Sequence, residues 1–138
     1  FAADDVINDG ELWKSDGTEV GTVLVKDIQS GSWGSVPSSL TNVNGTLYFA
    51  ALNATNGGEL WKSDGTAEGT LLVEDKAGSS SLSPSNLTNV NGTLFFQAND
   101  GTNGYELWKS DGTTAGTVLV KDINPLAGSS SPRMLDRG

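Results

Sequence analysis

The chain has 138 residues, 36% hydrophobic and 18% charged, with eighteen glycines, seventeen acidic residues against eight basic ones and a formal net charge of −9. The absence of cysteine and histidine excludes disulfides, thiolate nucleophiles, zinc fingers, an imidazole base and a serine-histidine triad. No basic stripe offsets the negative charge, so a nucleic-acid partner is not expected, and apolar runs such as Val23-Leu24-Val25 are far short of the ~20 residues a membrane span needs. The start, Phe1 to Asp5, has neither the basic nor the long apolar region of a secretory leader. A chain of this length is one domain or a piece of a larger one.

Internal repetition organises the sequence. Glu-Leu-Trp-Lys-Ser-Asp-Gly-Thr occurs unchanged at 11–18, 59–66 and 106–113, Leu-Thr-Asn-Val-Asn-Gly-Thr-Leu at 40–47 and 87–94, and a Gly-Thr followed by aliphatic residues at 21, 69 and 116. These blocks divide the chain into repeats 1–48, 49–95 and 96–138, beginning at Phe1, Phe49 and Phe96, the third truncated. In chain order, a short apolar run at Phe1 leads through a loop, Asp4 to Gly10, to a strand from Glu11 that Asp16-Gly17 ends. A second strand around Val23-Leu24-Val25 follows, and then a Ser/Gly-rich connection, Ser30 to Ser39. From Leu40, Asn44-Gly45 separates two β-prone runs, a strong hairpin signal because both turn positions need positive φ. Glu59 to Ser63 and Thr70 to Asp75 supply a third and fourth strand, Ala77 to Ser85 is the next connection, and the pattern then recurs from Leu87.

The expected fold is therefore all-β, with four-stranded antiparallel units and no helix. Along Leu47 to Ala51 both faces of the strand are apolar, Leu47, Phe49 and Ala51 on one side and Tyr48 and Ala50 on the other, so each sheet needs covering twice. Units of this length covered on both faces describe β-propeller-like blades, and the alternative is a β-solenoid, whose strands pair between repeats.

The thrice-repeated Glu-Leu-Trp-Lys-Ser-Asp-Gly-Thr resembles the signature of the ELWxxDGT repeat family of large bacterial proteins, many of them secreted or surface-associated. The resemblance covers the whole chain, apart from Leu135 to Gly138, where no Asn-Gly hairpin follows. It implies a propeller-like repeat domain, usually within a longer array and outside the cell or at its surface, and it implies no reaction.

Trp13, Trp61 and Trp108 recur in every unit, which points to packing between units with the indole N–H satisfied locally. Lys14, Lys62 and Lys109 read as stems over a sheet surface, with the ammonium in water or paired to an acidic neighbour, and Asp16, Asp64 and Asp111 read as turn formers. The sequons at Asn44, Asn53, Asn86 and Asn91 are taken as structural. What differs between units lies in the loops, where binding usually resides. Trp33, a singular aromatic in a Ser/Gly connection, is the candidate for stacking on a sugar or protein, with Asn53, Asn56 and Tyr105 as further ligand-binding candidates. The first and third variable loops carry oxygen ligands suited to Ca²⁺ at Asp4, Asp5, Asn8 and Asp9 and at Asn99, Asp100 and Asn103, calcium being the one cofactor considered. The resulting expectation is a non-catalytic extracellular scaffold or adhesion module whose partners are other blades, of the same or a neighbouring chain, and a glycan or surface protein. A lectin using Trp33 is the alternative. A glycoside hydrolase using Asp4, Asp5, Asp9 or Glu11 is a more distant one, since sequence proximity does not make a cleft. Two full units and a partial third fall short of a closed ring, which favours a stretch of a longer propeller over a ring built from copies.

Overall fold

The structure is a computed structural model describing residues 1–7, 9–31, 33–53, 57–74, 81–125 and 128–133. Among these residues there is no helix, and the strands form three antiparallel sheets. The first sheet contains β1 (Ala2–Ala3), β2 (Glu11–Lys14) and β3 (Val23–Lys26) in that order. The second contains β4 (Ser38–Val43), β5 (Thr46–Asn53), β6 (Gly57–Ser63) and β7 (Leu71–Glu74), and the third β8 (Ser85–Val90), β9 (Thr93–Asn99), β10 (Tyr105–Ser110) and β11 (Val118–Lys121), each in simple meander order. The sheets are offset from the sequence repeats: a unit cut at Phe49 divides β5, because the repeat boundary is a choice of phase whereas a sheet must keep its hairpins whole.

Local chemistry sets the turns. Asn44 and Gly45 have φ of 53° and 89°, and Val43 pairs with Thr46 across them, the two-residue hairpin that the Asn-Gly pair encodes. Asn91-Gly92 repeats it between Val90 and Thr93. The strands β4 and β8 begin before Leu40 and Leu87, inside the Ser-rich connections, and each carries an irregularity at a left-handed residue, Ser39 or Asn86.

Packing follows the alternation. Phe49 and Ala51 face the first sheet and join Leu12, Val25 and Trp61 in one cluster. Tyr48 faces the third sheet and joins Leu60, Val73, Phe96 and Trp108 in the other. Phe49 and Phe96 are fully buried, each contributing about 2–3 kcal/mol of apolar burial. Beside these clusters β4 runs against β8, where the Thr41 hydroxyl donates to the Leu87 carbonyl at 3.1 Å and the Asn89 amide to the Asn42 carbonyl at 3.2 Å. The indole N–H groups of Trp13 and Trp61 are buried without a hydrogen-bond partner among the described residues, contrary to the local satisfaction expected of them. Trp61 lies in the cluster between the first two sheets and Trp13 is half-buried in the first, and burial of ring area outweighs the cost of one unpaired N–H.

Candidate functional site

Strand direction separates the molecule into two ends. The Asn-Gly hairpins and the Asp-Gly-Thr turns lie at one, and the variable loops with the Ser/Gly connections at the other.

At the turn end the three motif aspartates and the lysines of the first two copies are engaged in structure. Asp64 Oδ1 accepts the Thr66 N–H at 2.9 Å and its hydroxyl at 2.7 Å, and Asp16 and Asp111 do the same for Thr18 and Thr113. The Ser63 and Thr70 hydroxyls pair at 2.7 Å, closing the turn from beneath. In the first two copies the motif lysine takes a main-chain carbonyl, not an acidic neighbour, as its hydrogen-bond partner. Lys14 Nζ donates to the Gly65 carbonyl at 2.8 Å and Lys62 Nζ to the Gly112 carbonyl at 2.8 Å, each crossing to the next sheet.

At the loop end the organising group is the motif glutamate. Glu11 is fully buried and accepts the N–H groups of Ile28 at 3.0 Å, Gln29 at 3.2 Å and Ser35 at 2.9 Å, together with the Ser35 hydroxyl. Glu106 repeats this with Ile123 at 3.1 Å, Ser130 at 3.0 Å and the Ser130 hydroxyl, and Glu59 accepts the Leu82 N–H at 3.3 Å. Each connection is thus pinned onto the loop of its own sheet and then reaches the next one, where Leu52 N–H donates to Ser35 O at 2.7 Å and Asn99 N–H to Leu82 O at 2.9 Å. A cleft of about 200 Å³ opens there, lined by Val36, Ser38, Ala50, Leu52, Gly58 and Ser83 among others, with no titratable side chain among the described residues of its wall.

Trp33 stands 83% exposed on this end. Its neighbour Gly34 lies against the Asp9 carbonyl so closely that a Cβ would overlap it, and Val36 N–H donates to Gly10 O at 2.7 Å. Trp33 therefore shares one end of one sheet with Asp4, Asp5 and Asp9, of which Asp5 accepts the Ile7 N–H at 2.7 Å. Tyr105 belongs to the third sheet, with Asn99, Asp100 and Asn103 beside it. Asp100 accepts the Thr102 and Asn103 N–H groups and the Asn103 amide, and Asn99 accepts the Gly101 N–H. Asn53 ends β5 opposite Gly57, while Asn8 and Asn56 lie outside the described residues. Among the described residues no three acidic side chains gather closely enough to hold a metal. The loops place Trp33 and Tyr105 on different sheets, each with its own acidic loop.

Burial pushes the Glu106 carboxyl up, but the Ser130 hydroxyl and the N–H groups of Ile123, Ser130 and Asn124 outweigh it and hold the group below the usual glutamate range. Burial likewise raises Asp100, and the donors of its own loop more than reverse this. The Thr18, Thr66 and Thr113 hydroxyls and N–H groups hold Asp16, Asp64 and Asp111 low. A carboxyl depressed in the folded state contributes stability that is complete above its unfolded value and is lost as pH falls through the folded one. The melting temperature is thus expected to stay level from neutrality to about pH 5 and to fall steeply below about pH 4. Thermal scans followed by tryptophan fluorescence measure it. A decline already present near pH 6 would contradict this origin, since the chain has no histidine to titrate there.

The glutamate hub is the element that sequence reasoning missed. The available signal was its position: in every copy Glu is two residues before Trp, on the strand face destined for burial. Comparison of the chain with protein-family models, with curated proteins and with solved structures finds no match.

Proposed function

We propose that the chain is a β-propeller-like, non-catalytic repeat scaffold that works outside the cell or at its surface, presenting variable loops to a protein or surface partner. One observation carries this reading. The repeated polar residues are consumed by the fold, Glu11 by its connection, Lys14 by the next sheet and Asp16 by its own turn, whereas the residues that differ between units collect in the loops. A middle sheet covered on both faces, joined to its neighbours by inter-sheet lysines and running beside the third sheet at β4 and β8, supports the propeller-like arrangement over a solenoid, because sequential strands pair antiparallel within each sheet.

The second reading, a lectin, is favoured by Trp33, exposed beside an acidic loop as a sugar-stacking ring would be. A panel of immobilised glycans and surface proteins, probed with the wild-type chain and with Trp33→Ala, tests both. The scaffold reading expects protein binding that survives Trp33→Ala and is lost when Asp4, Asp5 and Asp9 are all changed to Ser with melting unchanged. Glycan binding that disappears in Trp33→Ala would replace it with the lectin, and protein binding indifferent to the loop changes would defeat it.

A further inference from the structure

The cleft at the loop end belongs to the second sheet, and the residues that wall it there are not those of the other units. In the second sheet Ala50 stands opposite the motif leucine, Leu60, and Leu52 opposite Gly58. The third sheet has Gln97 opposite Leu107 and Asn99 opposite Tyr105, and the first has Asp4 and Gly10 in place of Leu52 and Gly58. Only the second unit thus combines small and aliphatic residues at all three places, with Gly58 contributing no side chain where the third has a tyrosine. Both neighbours of this sheet are in the chain. Val36 and Ser38 of the connection before it, and Ser83 and Pro84 of the connection after it, form the remaining described walls, so these walls are independent of what adjoins either end of the chain.

Its size and its polar atoms narrow what it can hold. Val36 and Leu52 are exposed at its mouth, and about 200 Å³ admits one apolar group somewhat larger than benzene, which occupies an engineered cavity of ~150 Å³. The Ser81 hydroxyl proton is spent on the Gly58 carbonyl at 2.7 Å, so the Ser83 hydroxyl donates to Ser81 at 2.9 Å. The remaining lone pairs of Ser83 Oγ are then acceptors at the cleft wall. Negative charge lies on both flanks. A Cβ at Gly10 would stand 3.5 Å from the Asp4 carboxylate and 3.6 Å from Val36, which places the two side by side. On the other flank Ser83 follows Leu82, whose carbonyl takes the N–H of Asn99, the residue before Asp100.

We propose that this cleft takes one leucine-sized aliphatic side chain of a partner polypeptide in which the flanking residues are basic. The aliphatic group packs on Val36, Ala50 and Leu52, an N–H of the partner donates to Ser83 Oγ, and the basic residues on either side face Asp4 and Asp100. Charge complementarity is the argument for this occupant: the flanks are acidic, the chain carries a net charge of −9, and the one hydroxyl whose direction is fixed can only accept. The inference rests on the scaffold reading and names the chemistry of its partner.

Fluorescence anisotropy of a labelled peptide, Gly-Lys-Lys-Leu-Lys-Lys-Gly, titrated with the chain to about 1 mM in physiological salt tests it, a range that covers micromolar to millimolar affinity. Saturable binding is expected, at least tenfold weaker when alanine replaces the leucine and at least tenfold weaker when glutamates replace the lysines. Gly58→Tyr, which brings in the residue of the third sheet, should weaken the leucine peptide at least tenfold and leave the alanine peptide as it was. A Cβ at Gly58 comes within 3.2 Å of Ser81 Oγ, so where that variant shifts the melting temperature Leu52→Asn, at an exposed position, serves instead with the same expectation. No binding up to 1 mM, leucine and alanine peptides bound alike through charge alone, or leucine binding indifferent to these substitutions would each overturn the proposal. Its failure is distinct from that of the scaffold reading. A surface protein of the panel that binds Leu52→Asn as tightly as wild type overturns the cleft and leaves the scaffold standing.

Discussion

Replacing Glu11 by alanine should destabilise the fold by about 3–5 kcal/mol, as removal of one member of a buried charged hydrogen-bonding set does. The carboxylate is the common acceptor for three N–H groups and a hydroxyl, and alanine would leave all four donors in a site too enclosed for each to recover water. Glu11→Gln keeps the shape and one acceptor oxygen but turns an amide N–H₂ toward donors, so it should lie between alanine and wild type. Urea unfolding monitored by tryptophan fluorescence gives the values. As internal controls, Asp4→Ala and Asp9→Ala, on the loop surface, should stay within about 0.5 kcal/mol. A Glu11→Ala variant as stable as those controls would mean that the connection is held by something else.

Gly69→Ala should cost about 2 kcal/mol or more, although the residue lies in an ordinary surface turn without positive φ, because a Cβ there would fall inside the Asp64 carboxylate. That carboxylate is short and held by Thr66 through N–H and hydroxyl, and the Thr66 hydroxyl in turn accepts the Gly69 N–H at 2.9 Å, so it has nowhere to swing without opening the turn. The identical overlap at Gly21 with Asp16 and at Gly116 with Asp111 explains why Gly-Thr recurs five residues after every motif aspartate. A double-mutant cycle makes the claim specific: Gly69→Ala in an Asp64→Ala background should add little, since the obstructing group is gone. Additive losses would place the cost elsewhere.

Much of this architecture was readable before any coordinates. Asn44-Gly45 determines its turn through two adjacent φ angles, and the alternation from Leu47 to Ala51 assigns each side chain to a face, so local rules sufficed for hairpins and for double coverage. The acceptors of Lys14 and Lys62 were not readable, because they are carbonyls of another sheet's turn and a main-chain carbonyl leaves no mark in residue identity. For the same reason Glu11, grouped in sequence with Asp4, Asp5 and Asp9, proved to belong with Ile28, Gln29 and Ser35, partners that are themselves mostly backbone. Of the candidate binding residues, the exposure of Trp33 followed from its Ser/Gly surroundings. Its proximity to Asp9 did not, since it depends on Gly34 admitting a close approach of two loops.

The lysines that cross from sheet to sheet bear on how such a sequence can change over generations. Since Lys14 and Lys62 are received by peptide oxygens, the receiving unit contributes a turn shape and not a particular side chain. A segment copied in tandem arrives with a compatible neighbour on either flank, and no compensating substitution is required before it can fold in place. Substitution is then free to accumulate in the loop side chains at the far end of the strands, where the sheets meet through Leu52 N–H on Ser35 O and Asn99 N–H on Leu82 O, main chain to main chain. The near-identity of the turns and the divergence of the loops are what gene duplication followed by drift would leave on a surface wired in this way.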